Sequence, residues 1–406
     1  MFGFTVVALA FLVNMGFSAA PTPLYVLYQE RDHFSTIMIT VVYAAYAVGV
    51  IGALFLAGHL SDWFGRRKVL VTALLVDAAS GLLFLTEPGV LGLLLARIVC
   101  GVSIGLTTAT ATAYLAELYR GARGTEGSPG RPQIVAAGAN LGGIGTGPLV
   151  AGLLAQYAPR PLWLPYLVFD AALLLLAFLV LLAPETVDAS ASRPRYRPQR
   201  IAVPPQARSL FLAATATGFA TFSVFGVLNS LVPSFLAGAL HAHSHALAGA
   251  VAFTAFASGA LAQIAASRAG LRQIIRLGRL LLLPGLAALT AGMWIPDLAV
   301  FITGSVLAGA GVGLSFRGAL IAAGESAPPH SRAEVLAGFF LGTYVGLSVP
   351  VIGLGLATRY ASPRSVMLVF VILVAAAALT SSRRMIIHLA TGSLRPGAAA
   401  RSPGRR

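Results

Sequence analysis

Long apolar segments alternate with short polar ones along almost the whole chain. Each apolar window holds about 20 residues or more, which is enough for a helix to cross a hydrocarbon layer about 30 Å thick. The pattern predicts twelve membrane spans, numbered here in chain order: 4–28, 36–59, 68–86, 89–118, 133–156, 162–183, 207–238, 246–267, 277–295, 297–324, 333–357 and 364–382. The expected fold class is therefore an all-α polytopic membrane protein.

Composition agrees with a membrane protein. Hydrophobic residues make up 57% of the chain and charged residues only 10%, whereas soluble domains carry about 25% charged residues. The net charge of +15 does not indicate nucleic-acid binding, because the cations lie between the apolar windows. The single cysteine, Cys100, lies inside a predicted span and predicts neither a disulfide framework nor a metal site.

The cations also predict the orientation. Most arginines and the one lysine fall on the side that carries both chain ends, and only Arg31, Arg160, Arg359 and Arg364 fall on the other side. Cytoplasmic loops carry an excess of Lys and Arg. We therefore expect a multi-pass protein of the cell membrane with both termini in the cytoplasm.

The chain divides into two similar halves. A polar, proline-rich segment at 184–206 separates a bundle of six spans at 1–183 from a second one at 207–383, and a basic tail occupies 384–406. The two bundles share sequence at matching positions: Gly101, Gly105, Leu106 and Glu117 of span 4 recur with the same spacing as Gly309, Gly313, Leu314 and Glu325 of span 10. This repeat predicts two pseudo-symmetric six-helix bundles, a plan used by transporters with a binding site between the repeats.

The loop between spans 2 and 3, called here the latch loop (58–70), carries the most specific motif. It resembles the loop signature of the major facilitator superfamily at six positions, with Trp63 standing where that family usually has Arg: Gly58, Leu60, Asp62, Gly65, Arg66 and Arg67. The resemblance implies a secondary transporter that works by alternating access, with a central cavity lined by spans 1, 4, 7 and 10.

The latch loop has a physical interpretation of its own. Gly58 lets a neighbouring helix approach closely, and Asp62 can pair with Arg66 or face the positive end of another helix. Glu117, at the end of span 4, is an expected partner of the loop arginines. The resemblance implies that the loop stabilises the outward-open state against the start of span 11, near 333–338. The alternative is that the loop cations only satisfy the positive-inside rule.

Three ionisable residues are predicted to lie deep in the first bundle. Arg97 resembles the cavity arginine of the family, and a charge at such depth costs at least ~2.5 kcal/mol, so it requires a partner or a task. Asp77 and Asp170 are its candidate partners, and all three residues are candidates for proton coupling. The ion pair between Arg97 and one of these two acids is either structural or opens when the acid is protonated.

Other residues are candidates for the cavity. Arg317 of span 10 would add a positive group from the second bundle and favour an anionic substrate, or else contact a neighbouring helix through a salt bridge or carbonyls. Uncharged cavity candidates are Asn14, Tyr25, Asn140, Asn229 and Tyr344.

Span 5 indicates a direction of transport. It resembles the glycine-proline antiporter motif, which is associated with exporters, through Gly138, Gly143, Gly147, Pro148 and Gly152. Pro148 removes a helix hydrogen bond, and the glycines allow tight packing against span 8. The alternative is that the glycines serve helix packing alone.

No catalytic constellation or phosphate-binding loop is present in the sequence, so neither an enzyme nor a cofactor is predicted. The trio His241, His243 and His245 lacks an accompanying acid or cysteine and is expected to be a solvated loop without metal. The predicted function is proton-coupled efflux of small organic molecules by a monomer in the lipid bilayer. The alternatives are an importer of a small organic anion or metabolite, and a non-transporting membrane receptor on a transporter scaffold.

Overall fold

The computed structural model describes residues 1–58, 60–87, 89–124, 130–187, 203–239, 244–327 and 332–390. Every regular element in these ranges is a helix. Span 1 consists of Phe2–Ala19, a 3-10 turn at Thr22–Leu24 and Tyr25–Asp32. Spans 2 to 6 are Thr36–Ala57, Arg66–Thr86, Val90–Arg123, Arg131–Tyr157 and Leu164–Leu181. Spans 7 to 12 are Arg208–Ser230, His245–Ala265, Leu271–Trp294, Leu298–Glu325, Arg332–Ala357 and Pro363–Ala390. Shorter helices occur at Leu60–Phe64, Pro205–Ala207 and Val232–Ala239.

The described residues contain twelve helices that are long and apolar enough to cross a membrane, which confirms the predicted fold class. Two boundaries differ from the prediction. Span 9 begins at Leu271 rather than near 277, because its first turns are amphipathic: Ile274 and Ile275 are buried while Arg272 and Arg276 are exposed. Span 12 continues to Ala390, past the predicted start of the tail at 384. The remainder of the tail, 391–406, and the linker centre, 188–202, lie outside the described residues.

Spans 1 and 7 are broken at equivalent places. Span 1 is interrupted after Ala19, where Pro21 and Pro23 follow, and span 7 is interrupted at Leu231, just before Pro233. Proline lacks the N–H that would continue the helical hydrogen bonds. The matching breaks agree with the internal repeat read from the sequence.

Glycines bring equivalent helices together within each bundle. A Cβ added at Gly101 of span 4 would lie 3.0 Å from the Gly49 Cα of span 2. In the second bundle, a Cβ added at Gly313 of span 10 would lie 2.7 Å from the Gly259 Cα of span 8. Because these residues have no side chain, the backbones of the two helices touch directly where they cross.

The two bundles meet mainly through span 5 with span 8 and span 2 with span 11. Two polar contacts between them lie at the face opposite the termini, called here the far face. Thr22 Oγ1 donates to Asn229 Oδ1 at 2.7 Å, and the His245 backbone N–H donates to Gln156 Oε1 at 3.0 Å. The bundles are therefore in close contact near the far face.

The half of span 5 nearer the termini is in a different environment. A Cβ added at Gly138 or at Gly142 would have no atom within 4 Å. Span 5 is thus closely packed at its far end and has open space beside Gly138 and Gly142 at its other end.

Candidate functional site

A buried polar cluster lies inside the first bundle where spans 1, 3 and 4 meet. The Asn14 side-chain amide donates to Asp77 Oδ2 at 2.7 Å and to Ser103 Oγ at 2.9 Å. Ser103 Oγ in turn donates to the Ala73 carbonyl at 2.7 Å. All three polar side chains are fully buried, Asp77 Oδ1 has no nitrogen or oxygen partner, and the buried Cys100 thiol interacts with the Asp77 carboxylate. Asp77 is therefore held by a neutral amide and not by a cation.

Asp170 of span 6 is a second buried acid in the same bundle. Neither of its carboxylate oxygens has a hydrogen-bond partner. Its carboxylate lies against the backbone of Gly81, one helical turn along span 3 from Asp77. A polar group buried without a partner costs free energy, so both acids indicate a role beyond packing.

Arg97 lies in span 4 and is 1% exposed. Its Nη1 donates to the Ser18 carbonyl at 2.6 Å, and the guanidinium lies over the Tyr46 and Tyr43 rings, 4.7 Å and 5.6 Å from their centroids. Its Nε has no hydrogen-bond partner. Arg97 is thus surrounded by a carbonyl and aromatic faces.

The predicted ion pair between Arg97 and Asp77 or Asp170 is not formed, since the salt bridges among the described residues do not include Arg97. The physical reason lies in the break of span 1. Ser18 belongs to the last turn before the break, where carbonyl groups lack partners within the helix. Such a carbonyl and two tyrosine rings can stabilise a guanidinium without a carboxylate.

The uncharged cavity candidates have different environments. Asn229 is used in the contact with Thr22 between the two bundles. The buried Tyr25 hydroxyl has no hydrogen-bond partner and interacts electrostatically with Arg97. Tyr344 is buried and packs edge-to-face on Phe222, with 5.6 Å between the ring centroids. Asn140 is half-buried on span 5.

Arg317 of span 10 contacts the end of a neighbouring helix, and its role as a second cavity charge stays a prediction. Its Nη1 donates to the Gln263 carbonyl, and its Nη2 donates to the Ser267 carbonyl at 3.4 Å. Both carbonyls lie at the end of span 8, where the last groups of a helix lack intrahelical partners. Arg317 therefore secures the end of a neighbouring helix, which is the carbonyl alternative considered for it.

The latch loop has an ordered network around Arg66. Its guanidinium pairs with Asp62 at 2.6 Å and with Glu117 at 3.1 Å, and its Nη1 donates to Ser61 Oγ at 2.7 Å. The pairs that the sequence suggested for Asp62 and Glu117 are thus both formed with Arg66. Glu325, the repeat counterpart of Glu117, is exposed at the end of span 10. The contact between the loop and the start of span 11 stays a prediction.

Glu185 is a member of this network that the sequence reasoning missed. Its carboxylate accepts from the backbone N–H of Arg66 at 2.9 Å and from that of Arg67 at 3.2 Å. These amides belong to the first turn of span 3, where N–H groups have no partners within the helix. Gly65 has φ +98, and an added Cβ would collide with the Glu185 side chain, so a glycine is required here for two reasons.

Neighbouring residues join the start of the linker to the first bundle. Arg67 Nη1 donates to the Ala183 carbonyl at 3.2 Å, and Tyr114 OH donates to the Pro184 carbonyl at 2.6 Å. Thr186 Oγ1 donates to Glu117 Oε2 at 2.5 Å. The sequence offered one signal for this contact. The acidic segment Pro184-Glu185-Thr186 follows directly after span 6, and the start of span 3 has no capping side chain of its own.

The glycine-proline motif of span 5 divides between two neighbours. Gly143 and Gly147 pack against span 1, where a Cβ at Gly147 would lie 3.0 Å from the Gly16 Cα. Gly152 faces span 8, where its added Cβ would lie 3.4 Å from the Gly249 Cα, and an added Cβ at Gly249 would meet the Pro148 backbone. Span 5 is thus fixed to both bundles, although the prediction named span 8 alone.

Comparison with known proteins identifies the family. The model of the Major Facilitator Superfamily matches residues 7–349. The chain belongs to this superfamily. A segment of 69 residues is 41% identical to the arabinose-proton symporter of Bacillus subtilis (strain 168), but it covers only 17% of the chain and 15% of the symporter.

Solved structures of major facilitator proteins share the fold. The human organic anion transporter MFSD10 is 19% identical with a TM-score of 0.67, covering 95% of this chain and 99% of that one. A bacterial homologue of the human lysosomal transporter Spinster, in an inward-facing, unoccupied conformation, is 14% identical with a TM-score of 0.71, covering 95% and 97%. The nucleoside transporter NupG is 14% identical with a TM-score of 0.68, covering 95% and 99%. At these identities the likeness concerns the fold alone.

This protein is thus a multi-pass transporter of the Major Facilitator Superfamily, as the latch loop indicated. Among the described residues no group of His, Cys, Asp and Glu could hold a metal ion. His241 and His243 lie outside the described residues, whereas His245 begins span 8.

Proposed function

We propose that this transporter exports small organic molecules in exchange for protons. The observation that carries the proposal is the pair of buried acids in the first bundle, Asp77 and Asp170. Neither is paired with a cation, and Asp77 is bonded to Asn14 of the broken span 1. An ionisable residue within a membrane span is a functional candidate by default, because keeping it there is costly.

Charge balance supports coupling to one proton. The first bundle buries one cation, Arg97, and two acids, Asp77 and Asp170, so these three groups carry one net negative charge when both acids are ionised. One bound proton brings their net charge to zero, and burial in a membrane favours zero net charge. Asp77 is the better carrier, because its bond to Asn14 links its protonation to the span that also contributes Thr22 to the far-face contact.

The exporter direction rests on span 5. Its Pro148 and Gly152 pack closely on span 8 at the far face, and this motif resembles that of antiporters. The distribution of arginines supports a cytoplasmic location for both termini, so the open side of span 5 would face the cytoplasm. We further propose that the protein acts as a monomer in the cell membrane.

A second candidate is uptake of a small organic anion. It is favoured by Arg97, whose Nε has no partner, and by the Tyr25 hydroxyl beside it, which is equally unpartnered. Such donors suit a carboxylate. One structural neighbour is an organic anion transporter, and the relative that matches 69 residues is a proton symporter. Both support uptake of an anion as the second candidate.

Proton flux in proteoliposomes tests the proposal. Purified protein with a pH gradient is screened over organic anions, neutral compounds and cations, and everted vesicles give the direction. Asp77→Asn should abolish substrate-dependent proton movement while exchange of substrate for substrate continues. Asp297→Asn is the matched control, because Asp297 caps span 10 and asparagine caps helices equally well.

The outcomes separate the candidates. Full proton coupling in Asp77→Asn would remove Asp77 from the mechanism, and the same result in Asp170→Asn would leave neither acid as carrier. Proton-driven accumulation of an anion would favour uptake instead of efflux. Absence of flux for every compound, with folded protein, would favour the receptor alternative.

A further inference from the structure

A pocket of about 370 Å³ lies at the far face, away from the buried cluster. It is formed where the end of span 1 meets the loop between spans 5 and 6, and it is lined by Arg31, Arg160, Pro161, Leu162 and Trp163. Its walls therefore combine two guanidinium groups with an indole and an aliphatic side chain. None of the roles described above uses this pocket.

The pocket concentrates positive charge where positive charge is scarce. Only four arginines fall on the far face in the predicted topology, and two of them, Arg31 and Arg160, line this one pocket. Arg31 binds Asp32 through two hydrogen bonds of 2.8 Å and 2.6 Å and lies 5.2 Å from the centre of the Tyr28 ring. Asp32 pairs with Arg31, whereas the salt bridges among the described residues do not include Arg160.

The loop that carries Arg160 is held in place by backbone hydrogen bonds. The Arg160 carbonyl accepts from the Trp163 N–H at 2.9 Å and from the Leu164 N–H at 3.0 Å. The two pocket residues Arg160 and Trp163 are thereby fixed relative to each other and to the start of span 6. The pocket is consequently part of the folded bundle.

An apolar stripe continues from the pocket down span 6. Trp163, Leu167, Leu174 and Phe178 recur at helical spacing, and each is between 45% and 60% exposed. Such a surface faces lipid chains in a membrane, and tryptophan is typical of the headgroup level. Lipid chains that contact the stripe would therefore lie directly below Arg31 and Arg160.

We propose that this pocket binds the phosphate group of an anionic phospholipid from the far leaflet, with the acyl chains lying along the stripe of span 6. Guanidinium groups recognise phosphate oxygens through paired, charge-assisted hydrogen bonds. A free phosphate could satisfy the arginines but would make no use of the apolar stripe. The lipid matches both the charge of the pocket and the surface beneath it.

Native mass spectrometry of the purified full-length protein tests the proposal. The protein is titrated with phosphatidylglycerol and, separately, with phosphatidylcholine of the same chains. Wild type should retain phosphatidylglycerol preferentially, and Arg160→Gln should weaken that retention by about tenfold, the loss expected for one charge-assisted contact. Arg160→Lys should restore part of it, and Arg359→Gln, which removes an exposed far-face arginine outside the pocket, should have no effect.

Two results would overturn the proposal. The first is equal retention of phosphatidylglycerol by wild type, Arg160→Gln and Arg31→Gln. The second is displacement of the lipid by millimolar inorganic phosphate together with equal thermal stabilisation by phosphate alone, which would assign the pocket to a soluble anion. A thermal unfolding curve of each variant identifies any loss of fold.

Discussion

Replacing Glu185 with alanine should loosen the start of span 3 without unfolding the bundle. The Glu185 carboxylate accepts from the amides of Arg66 and Arg67 at 2.9 Å and 3.2 Å. These amides have no helical partner, so their protection from exchange reports the two bonds to Glu185 directly. The amide of Val69 is an internal reference, since it donates to the Gly65 carbonyl at 3.3 Å.

The size of the effect follows from the contacts. Hydrogen bonds to a charged group contribute about 1.5–3 kcal/mol each, but Glu185 is half-buried and water can replace part of its role. Loss of a helix N-cap costs about 0.5–2 kcal/mol. We therefore expect a loss of about 1–2 kcal/mol in local stability, which corresponds to exchange about 5–30-fold faster.

Residue-resolved hydrogen exchange of the protein in detergent or nanodiscs measures this effect. Glu185→Gln should increase the exchange rates of the Arg66 and Arg67 amides less than Glu185→Ala does, because the glutamine side-chain oxygen still accepts one hydrogen bond. Glu325→Ala, which removes an exposed acid at the end of span 10, should leave the exchange of Arg66 and Arg67 unchanged. Unaltered exchange of both amides in Glu185→Ala would refute the capping role.

Two further predictions concern close helix contacts. Gly147→Ala should lower thermal stability, because its Cβ would lie 3.0 Å from the Gly16 Cα of span 1, and such overpacking costs about 1–3 kcal/mol. Gly142→Ala, which has no atom within 4 Å of the added Cβ, should unfold at or slightly above the wild-type temperature, because alanine favours a helix over glycine by about 1 kcal/mol; equal unfolding temperatures for the two variants would contradict the packing described here. Asn229→Ala should weaken the far-face contact with Thr22 by about 0.5–1.5 kcal/mol. It should also raise alkylation, from the far face, of a cysteine placed at Thr40, a buried residue of span 2 whose side chain lies against Gly355 of span 11. Thr22→Val should have the same effect, and the double variant should add nothing to it; additive effects would mean that the two side chains act separately.

Hydropathy was sufficient for the fold because the length and apolarity of a span are local properties of the sequence. The spans and the two-bundle pattern could therefore be predicted, as could the pair between Arg66 and Glu117, whose residue types and positions at helix ends restrict the choice of partner. The boundary of span 9 was misplaced because its amphipathic start, with Arg272 and Arg276 exposed, does not resemble a uniformly apolar window.

Partners deep in the bundle could not be predicted in the same way. The partner of Arg97 depends on the rotation of each helix and on the break in span 1, which exposes the Ser18 carbonyl. For Arg317 the sequence left open a cavity charge or a contact with a neighbouring helix, and only the structure shows that it donates to carbonyls at the end of span 8. Glu185 acts on amides far from it in sequence, and no local pattern encodes that contact.

The bond between Thr22 and Asn229 joins the two bundles through neutral groups, a hydroxyl and a carboxamide. Neither group carries a charge, so neither ionic strength nor the voltage across the membrane acts on this bond directly. In the proposed mechanism the electrical driving force enters the cycle through the buried acids and Arg97, while the far-face contact contributes the same stabilisation at low and at high ionic strength. A change of membrane potential, or of salinity at the far face, would thus leave the strength of this contact between the two bundles unaltered.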